Sequence, residues 1–163
     1  MSDGYAHEHR PLAGYSALST VFGTAFIGGL AAAWRRNGPP PRPGVWDVVT
    51  IGLATHKLAR LIAKDRVTSF IRAPFVRYVE SAGHGELDEE PRGRGLRLAT
   101  GELLVCPYCL GQWVAGAFAV GLVGAPALTR LIAALYSAET VADFLQLAYR
   151  AAEDAQMAQL KAR

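Results

Sequence analysis

Two stretches of this chain carry no charged side chain, and both are long enough to cross a bilayer. Pro11–Trp34 is 24 residues without Asp, Glu, Lys or Arg, and Leu103–Thr129 is 27. A spanning helix needs about 20 mostly apolar residues, because the hydrocarbon layer is roughly 30 Å thick and a helix rises about 1.5 Å per residue. Lipid is therefore the expected partner of both stretches. The rest of the composition agrees. Only 19% of the residues are charged and 51% are apolar, against roughly 25% charged in soluble domains. A length of 163 residues suits one domain.

The net charge of +3 raises nucleic acid as a partner, but the basic residues argue against it. They gather between the two apolar stretches, where loops on the cytoplasmic side of a membrane collect Lys and Arg. No basic patch interleaved with aromatics accompanies them. The first stretch is too long for the apolar region of a signal peptide and stops at Trp34-Arg35-Arg36, the pattern of a retained anchor.

Residues 1–10 are polar and read as a mobile tail. The first span covers Leu12–Trp34, with small residues on two adjacent stripes, Ala25/Gly29/Ala33 and Thr24/Gly28/Ala32. Such stripes let helix backbones approach closely in lipid and suit self-association, including a homo-oligomer. Residues 37–44 read NGPPPRPG. The prolines forbid helix and predict an extended connector, closing an N-terminal unit over residues 1–44. A second unit, 45–163, follows.

Val45–Asp65 is amphipathic: Val48, Ile51, Leu58, Ala59 and Ile62 share one face, while Lys57, Arg60 and Lys64 form a narrow basic stripe on the other. Several charges make a central position costly, so an interfacial or half-inserted helix is preferred over a spanning one. The apolar spacing through Phe70, Ile71, Phe75, Val76 and Val79 predicts more membrane-surface helix, so that amphipathic helices fill 45–81. Here Arg66, Arg72 and Arg77 reach toward lipid headgroups. GHGELDEEPRGRG (83–95) predicts a mobile loop, extending to residue 99. The second transmembrane helix covers 103–125, with Pro107 in its first turn, and a C-terminal helix covers 128–160, either spanning or lying on the surface. The fold class expected is an all-α integral membrane protein without strands. The basic bias places residues 35–102 in the cytoplasm and the N-terminus outside.

The only cysteines form Cys106-Pro107-Tyr108-Cys109, the active-site tetrapeptide of glutaredoxin-like oxidoreductases. A helix N-terminus stabilises thiolate, so Cys106 suits attack and Cys109 resolution. A soluble glutaredoxin needs a βαβ setting, and a quinone-linked membrane oxidoreductase generally needs a second cysteine pair. The same two residues offer two of the four ligands of a zinc site, with His56 or His84 able to add a third. They also suit simple packing at a membrane face, which is the favoured reading. No cofactor is predicted. His7, His9 and His84 lie in segments read as mobile, and no catalytic triad or phosphate-binding loop can be assembled. One electrostatic pattern stands out. Lys57 and Arg60 on the second helix match Glu139 and Asp143, one turn apart on the last. Intramembrane charges persist when they pair with each other, so these helices should pack with Lys57 or Arg60 near Glu139 or Asp143.

The series Thr55-His56-Lys57-Leu58-Ala59-Arg60 through Asp65-Arg66-Val67-Thr68 is followed by Phe70-Ile71-Arg72-Ala73-Pro74-Phe75. Then come Gly101-Glu102-Leu103-Leu104 and Cys106-Pro107-Tyr108-Cys109-Leu110-Gly111-Gln112-Trp113. Over roughly residues 45–150 this resembles a small bacterial membrane family known as domain of unknown function 1360, which includes a sporulation protein of endospore formers. The resemblance implies a multi-helix membrane protein and brings no activity or cofactor with it. The function expected is that of a small, non-enzymatic membrane protein, structural or an interaction partner in the bacterial envelope. The alternatives are a membrane thiol-disulfide oxidoreductase and a small pore-forming or holin-like oligomer.

Overall fold

Helix dominates because the chain alternates long apolar runs with short breakers. In the computed structural model, residues 10–40 and 42–161 are described. The mobile-tail expectation for residues 1–9, with His7 and His9, falls outside them, as does Pro41 in the connector. The elements are α1 (Leu12–Asn37), α2 (Val45–Lys64), α3 (Ser69–Arg72), β1 (Val76–Gly83), β2 (Glu86–Pro91), α4 (Leu96–Val105), α5 (Pro107–Gly124) and α6 (Pro126–Lys161). By length and composition, α1, α5 and α6 are each long and apolar enough to cross a membrane. Pro126 does not only end α5: it opens α6 at a position where its missing N–H costs nothing.

The four long helices alternate in direction. α1 and α5 run side by side the same way, with Gly116 against Phe22, Gly29 against Val120 and Gly124 against Ala33. α2 and α6 run together the opposite way, because Asp47 meets Arg130, the Thr50 carbonyl meets Ser137 and the Leu53 carbonyl meets Thr140. α2 lies between α5 and α6, burying Ala54 with Phe118 and Ala133, then Ala59 and Ala63 with Leu110. Small residues at these crossings let backbones approach, as in membrane bundles.

The all-α expectation needs correction between residues 67 and 99. Only one turn of helix, α3, forms, because Pro74 cannot continue it. Val76–Val79 then adopts extended backbone, as β-branched and aromatic residues prefer, and pairs antiparallel with Glu86–Pro91. The supposed mobile loop is largely this hairpin. Its two-residue turn is His84-Gly85, with φ of 51° and 84°, the positive pair that tight hairpin turns demand. Histidine tolerates this region better than most residues. Leu87 and Glu89 point inward while Asp88 and Glu90 point out, a period of two that marks a strand. Residues 96–99, expected as loop, begin α4.

The 20 residues of α2 separate the connector, at one end of the bundle, from the hairpin and α4, at the other. At about 1.5 Å per residue that separation is about 30 Å.

Candidate functional site

The hairpin end of the bundle gathers most of the polar chemistry. Its centre is Arg72, whose side chain is 0% exposed. The guanidinium donates through Nε to Glu89, through Nη1 to the Ile62 carbonyl (2.6 Å) and the Thr68 hydroxyl (2.8 Å), and through Nη2 to the Asp65 carbonyl (2.9 Å). Thr68 Oγ1 lies 2.5 Å from the Leu61 carbonyl. Leu61 and Ile62 belong to the last turn of α2 and Asp65 follows it directly, so these carbonyls have no further helix to bond. Arg72 and Thr68 thus cap α2, and a cation suits that end of the helix dipole. Arg72 was expected among headgroups; it is instead a buried keystone. A Thr-x-x-x-Arg spacing just past a helix end was the available signal.

The two charged stripes meet in part. Lys57 Nζ is 2.7 Å from Asp143 Oδ2 and 3.8 Å from Glu139 Oε2. Arg60 does not join them. It forms a two-pronged pair with Glu86 on β2, at 2.8 and 2.7 Å, and Lys64 reaches Asp88 at 3.4 Å. At the opposite end Asp47 holds Arg130 at 2.8 and 3.0 Å. Every charged side chain of α2 therefore has a partner of opposite sign.

Cys106 and Cys109 form a disulfide with Cα atoms 5.2 Å apart, across the first turn of α5. Cys106 is also the residue preceding α5, and its Sγ accepts the Cys109 N–H at 3.2 Å. Tyr108 between them is 93% exposed, so the bridge sits at the surface. His56 and His84 do not join it. His56 stacks on Phe144, with ring centroids 6.1 Å apart, and both histidines line a groove of about 370 Å³ between α2, the hairpin turn and α6. Among the described residues no three His, Cys, Asp or Glu side chains converge as a metal site.

With this geometry in hand, the comparisons with known proteins fall on the same region. The model of a family described as "Protein of unknown function (DUF1360)" matches residues 50–149, from α2 to α6. The sporulation protein YjcA of Bacillus subtilis (strain 168) is 36% identical over 72 residues, covering 42% of this chain and 61% of that protein. The UPF0713 protein YngL of the same organism is 34% identical over 77 residues, covering 45% of this chain and 55% of that protein. The matches thus span little more than half the length of each relative. No solved structure matches.

Proposed function

The chain belongs to the DUF1360 family of proteins of unknown function, and we propose that it is a multi-pass membrane protein with a structural or partner-binding role, not an enzyme. One observation carries the membrane reading: the long helices turn large apolar side chains outward while polar groups find partners inside. Arg72, Glu89, Thr129, Ser137 and Thr140 are buried, while Ile27 and Leu131 are 67% and 68% exposed. In water that distribution forfeits hydrophobic burial; in hydrocarbon it is the favourable one, since apolar faces meet lipid and polar groups find partners inside. Trp34 and Trp46 are exposed at one end of the bundle and Tyr108 at the other, an arrangement suited to the two interfacial belts. From Tyr108 to the end of α5 a helix rises roughly 24 Å, close to the hydrocarbon thickness. Because α2 lies antiparallel to α1 through the same depth, it crosses as a fourth span with its charges paired.

Sidedness follows from charge. The hairpin end carries Arg66, Arg77, Arg92, Arg94 and Arg97 beside Arg72, against Arg35, Arg36, Arg42 and Arg130 at the other. The bias favours a cytoplasmic hairpin end, with the start of α1 and the end of α6 on that side and the proline connector outside. This departs from the sequence expectation of an external N-terminus with residues 35–102 in the cytoplasm. The sporulation role named for the B. subtilis relative comes to this chain as the physiological part of the same proposal, with envelope proteins or further copies as partners.

The test is extraction and topology together. The chain should stay with membranes through alkaline carbonate, require detergent to purify, and give cytoplasmic signals from reporters fused at either terminus. A protein monodisperse in plain buffer would end the proposal.

A second reading, thiol–disulfide exchange, is favoured by the surface disulfide at the start of α5. A substrate dithiol would attack it, leaving Cys106 and Cys109 as thiols and the substrate oxidised. Reoxidation of the pair coupled to a quinone would support this reading.

A further inference from the structure

The groove between α2, the hairpin turn and α6 has a composition the preceding roles do not use. Its polar lining includes Arg60, Asp65, Glu86, Asp143 and Arg150, and its apolar wall includes Leu61, Phe144 and Leu147. Most of these charges are already satisfied within the protein: Asp143 by Lys57, and Glu86 by Arg60. Two are not. Arg150 makes no ion pair among the described residues. Asp65 spends one oxygen, Oδ1, on the Val67 N–H at 2.9 Å and leaves the other open. His56 and His84 add ring N–H donors to the same space.

One open guanidinium and one open carboxylate oxygen make a site whose spare charges sum to zero. That complementarity excludes a simple anion as the best guest and favours a zwitterion. The apolar wall is continuous with the outward faces of α6, where Phe144 and Leu147 are exposed, so the guest has a hydrocarbon part. The groove also lies at the end of α2, the depth of headgroups under the membrane reading, on which this inference rests.

We propose that this groove holds the headgroup of an aminophospholipid such as phosphatidylethanolamine. Its phosphate is bound by Arg150 with His84 and His56 as further donors, its ammonium by Asp65, and its acyl chain lies along Phe144 and Leu147. Arginine suits the phosphate because its planar fork donates two parallel hydrogen bonds.

The full chain purified in detergent, washed and analysed by native mass spectrometry, tests this. Wild type should retain phosphatidylethanolamine stoichiometrically, in preference to phosphatidylcholine and phosphatidylglycerol. Arg150→Gln should lower retention about tenfold, the loss of a charge-assisted contact, and Asp65→Asn should remove the preference for the amine headgroup. His84→Asn keeps a residue that accepts positive φ, so weaker retention there reports a lost donor and not a broken turn. Arg94→Gln, in the loop before α4, should change nothing. Equal retention by wild type and Arg150→Gln, a preference for phosphatidylglycerol, or displacement by excess inorganic phosphate would each overturn the proposal. Those outcomes leave the membrane reading standing. That reading fails separately, if the chain needs no detergent at all.

Discussion

Arg72 and Glu89 form a fully buried ion pair that ties the end of α2 to the second strand of the hairpin. Every donor direction of the guanidinium that the structure uses ends on an acceptor: a carboxylate, the Ile62 carbonyl of α2, the Asp65 carbonyl just past it and a hydroxyl. Removing one member leaves the other buried and uncompensated, which typically costs about 3–5 kcal/mol. Glu89→Ala should therefore lower the stability of the detergent-solubilised protein by that order. Arg72→Lys should fall nearly as far, because a single ammonium cannot serve acceptors arranged around a planar fork. Melting temperature with a tryptophan fluorescence readout checks both. A variant melting with wild type would remove Arg72 from its keystone role.

Two glycines should respond in opposite ways to the same change. A Cβ on Gly101 would stand 2.7 Å from the Phe75 carbonyl oxygen and 3.1 Å from Pro91, whereas one on Gly23 would meet nothing within 4 Å. Gly101 is where α4 presses on the base of the hairpin, and backbone cannot yield there cheaply. Gly101→Ala should destabilise by about 1–3 kcal/mol, as overpacking does. Gly23→Ala lies inside α1 and should be neutral or gain up to about 1 kcal/mol from helix propensity. Thermal melts of the two variants in one detergent settle the contrast.

The long helices were legible because uncharged runs, proline breaks and small-residue stripes are local signals that lipid and water read alike. The hairpin was not. Phe70, Ile71, Phe75, Val76 and Val79 imitate a helical face when Pro74 is treated as an interruption rather than an end. The strand signal was present in Leu87 and Glu89 alternating with Asp88 and Glu90, and in Gly-His-Gly at the turn, but acidic residues are poor strand formers in isolation. What holds them extended is tertiary: Arg72 takes Glu89, Arg60 takes Glu86, and the Arg66 N–H donates to the Gly85 carbonyl. For the same reason Arg60 could not be assigned from the sequence. Its best acceptor lies on a strand, 26 residues away, that helical periodicity did not reveal.

The pairing of Lys57 distinguishes its two acidic neighbours. Asp143 is in hydrogen-bond contact at 2.7 Å, while Glu139 is 3.8 Å away. Both carboxylates are about half exposed within the bundle, so in water either contact is worth at most about 1 kcal/mol. Under the proposed membrane reading the surroundings are less polar than water, and leaving Lys57 without a counter-charge costs more. Asp143→Asn should therefore destabilise more than Glu139→Gln, and the difference should be larger in lipid nanodiscs than in mild detergent. The ratio of unfolding midpoints in the two environments is the measurement. Equal loss for the two variants in both would show that neither carboxylate is the specific partner of Lys57.

The disulfide closes a very small ring, and that fixes how much it stabilises. Cross-linking limits the unfolded chain by an amount that grows with loop length. For the four residues from Cys106 to Cys109, the chain-entropy relation gives about 2 kcal/mol. Helix α5 also keeps its other start signals when the bridge opens, since Pro107 still occupies the first position and the Cys106 sulfur still faces the Cys109 N–H. Reduction should then lower the melting temperature only modestly and leave helix content unchanged, with Cys109→Ser behaving like the reduced wild type. A bridge that served exchange chemistry would in addition cycle reversibly with a small dithiol while the fold persists. If reduction instead collapsed the bundle, the bridge would be holding α4 and α5 together beyond its own turn, and the surface position of Tyr108 would have to be explained by that task.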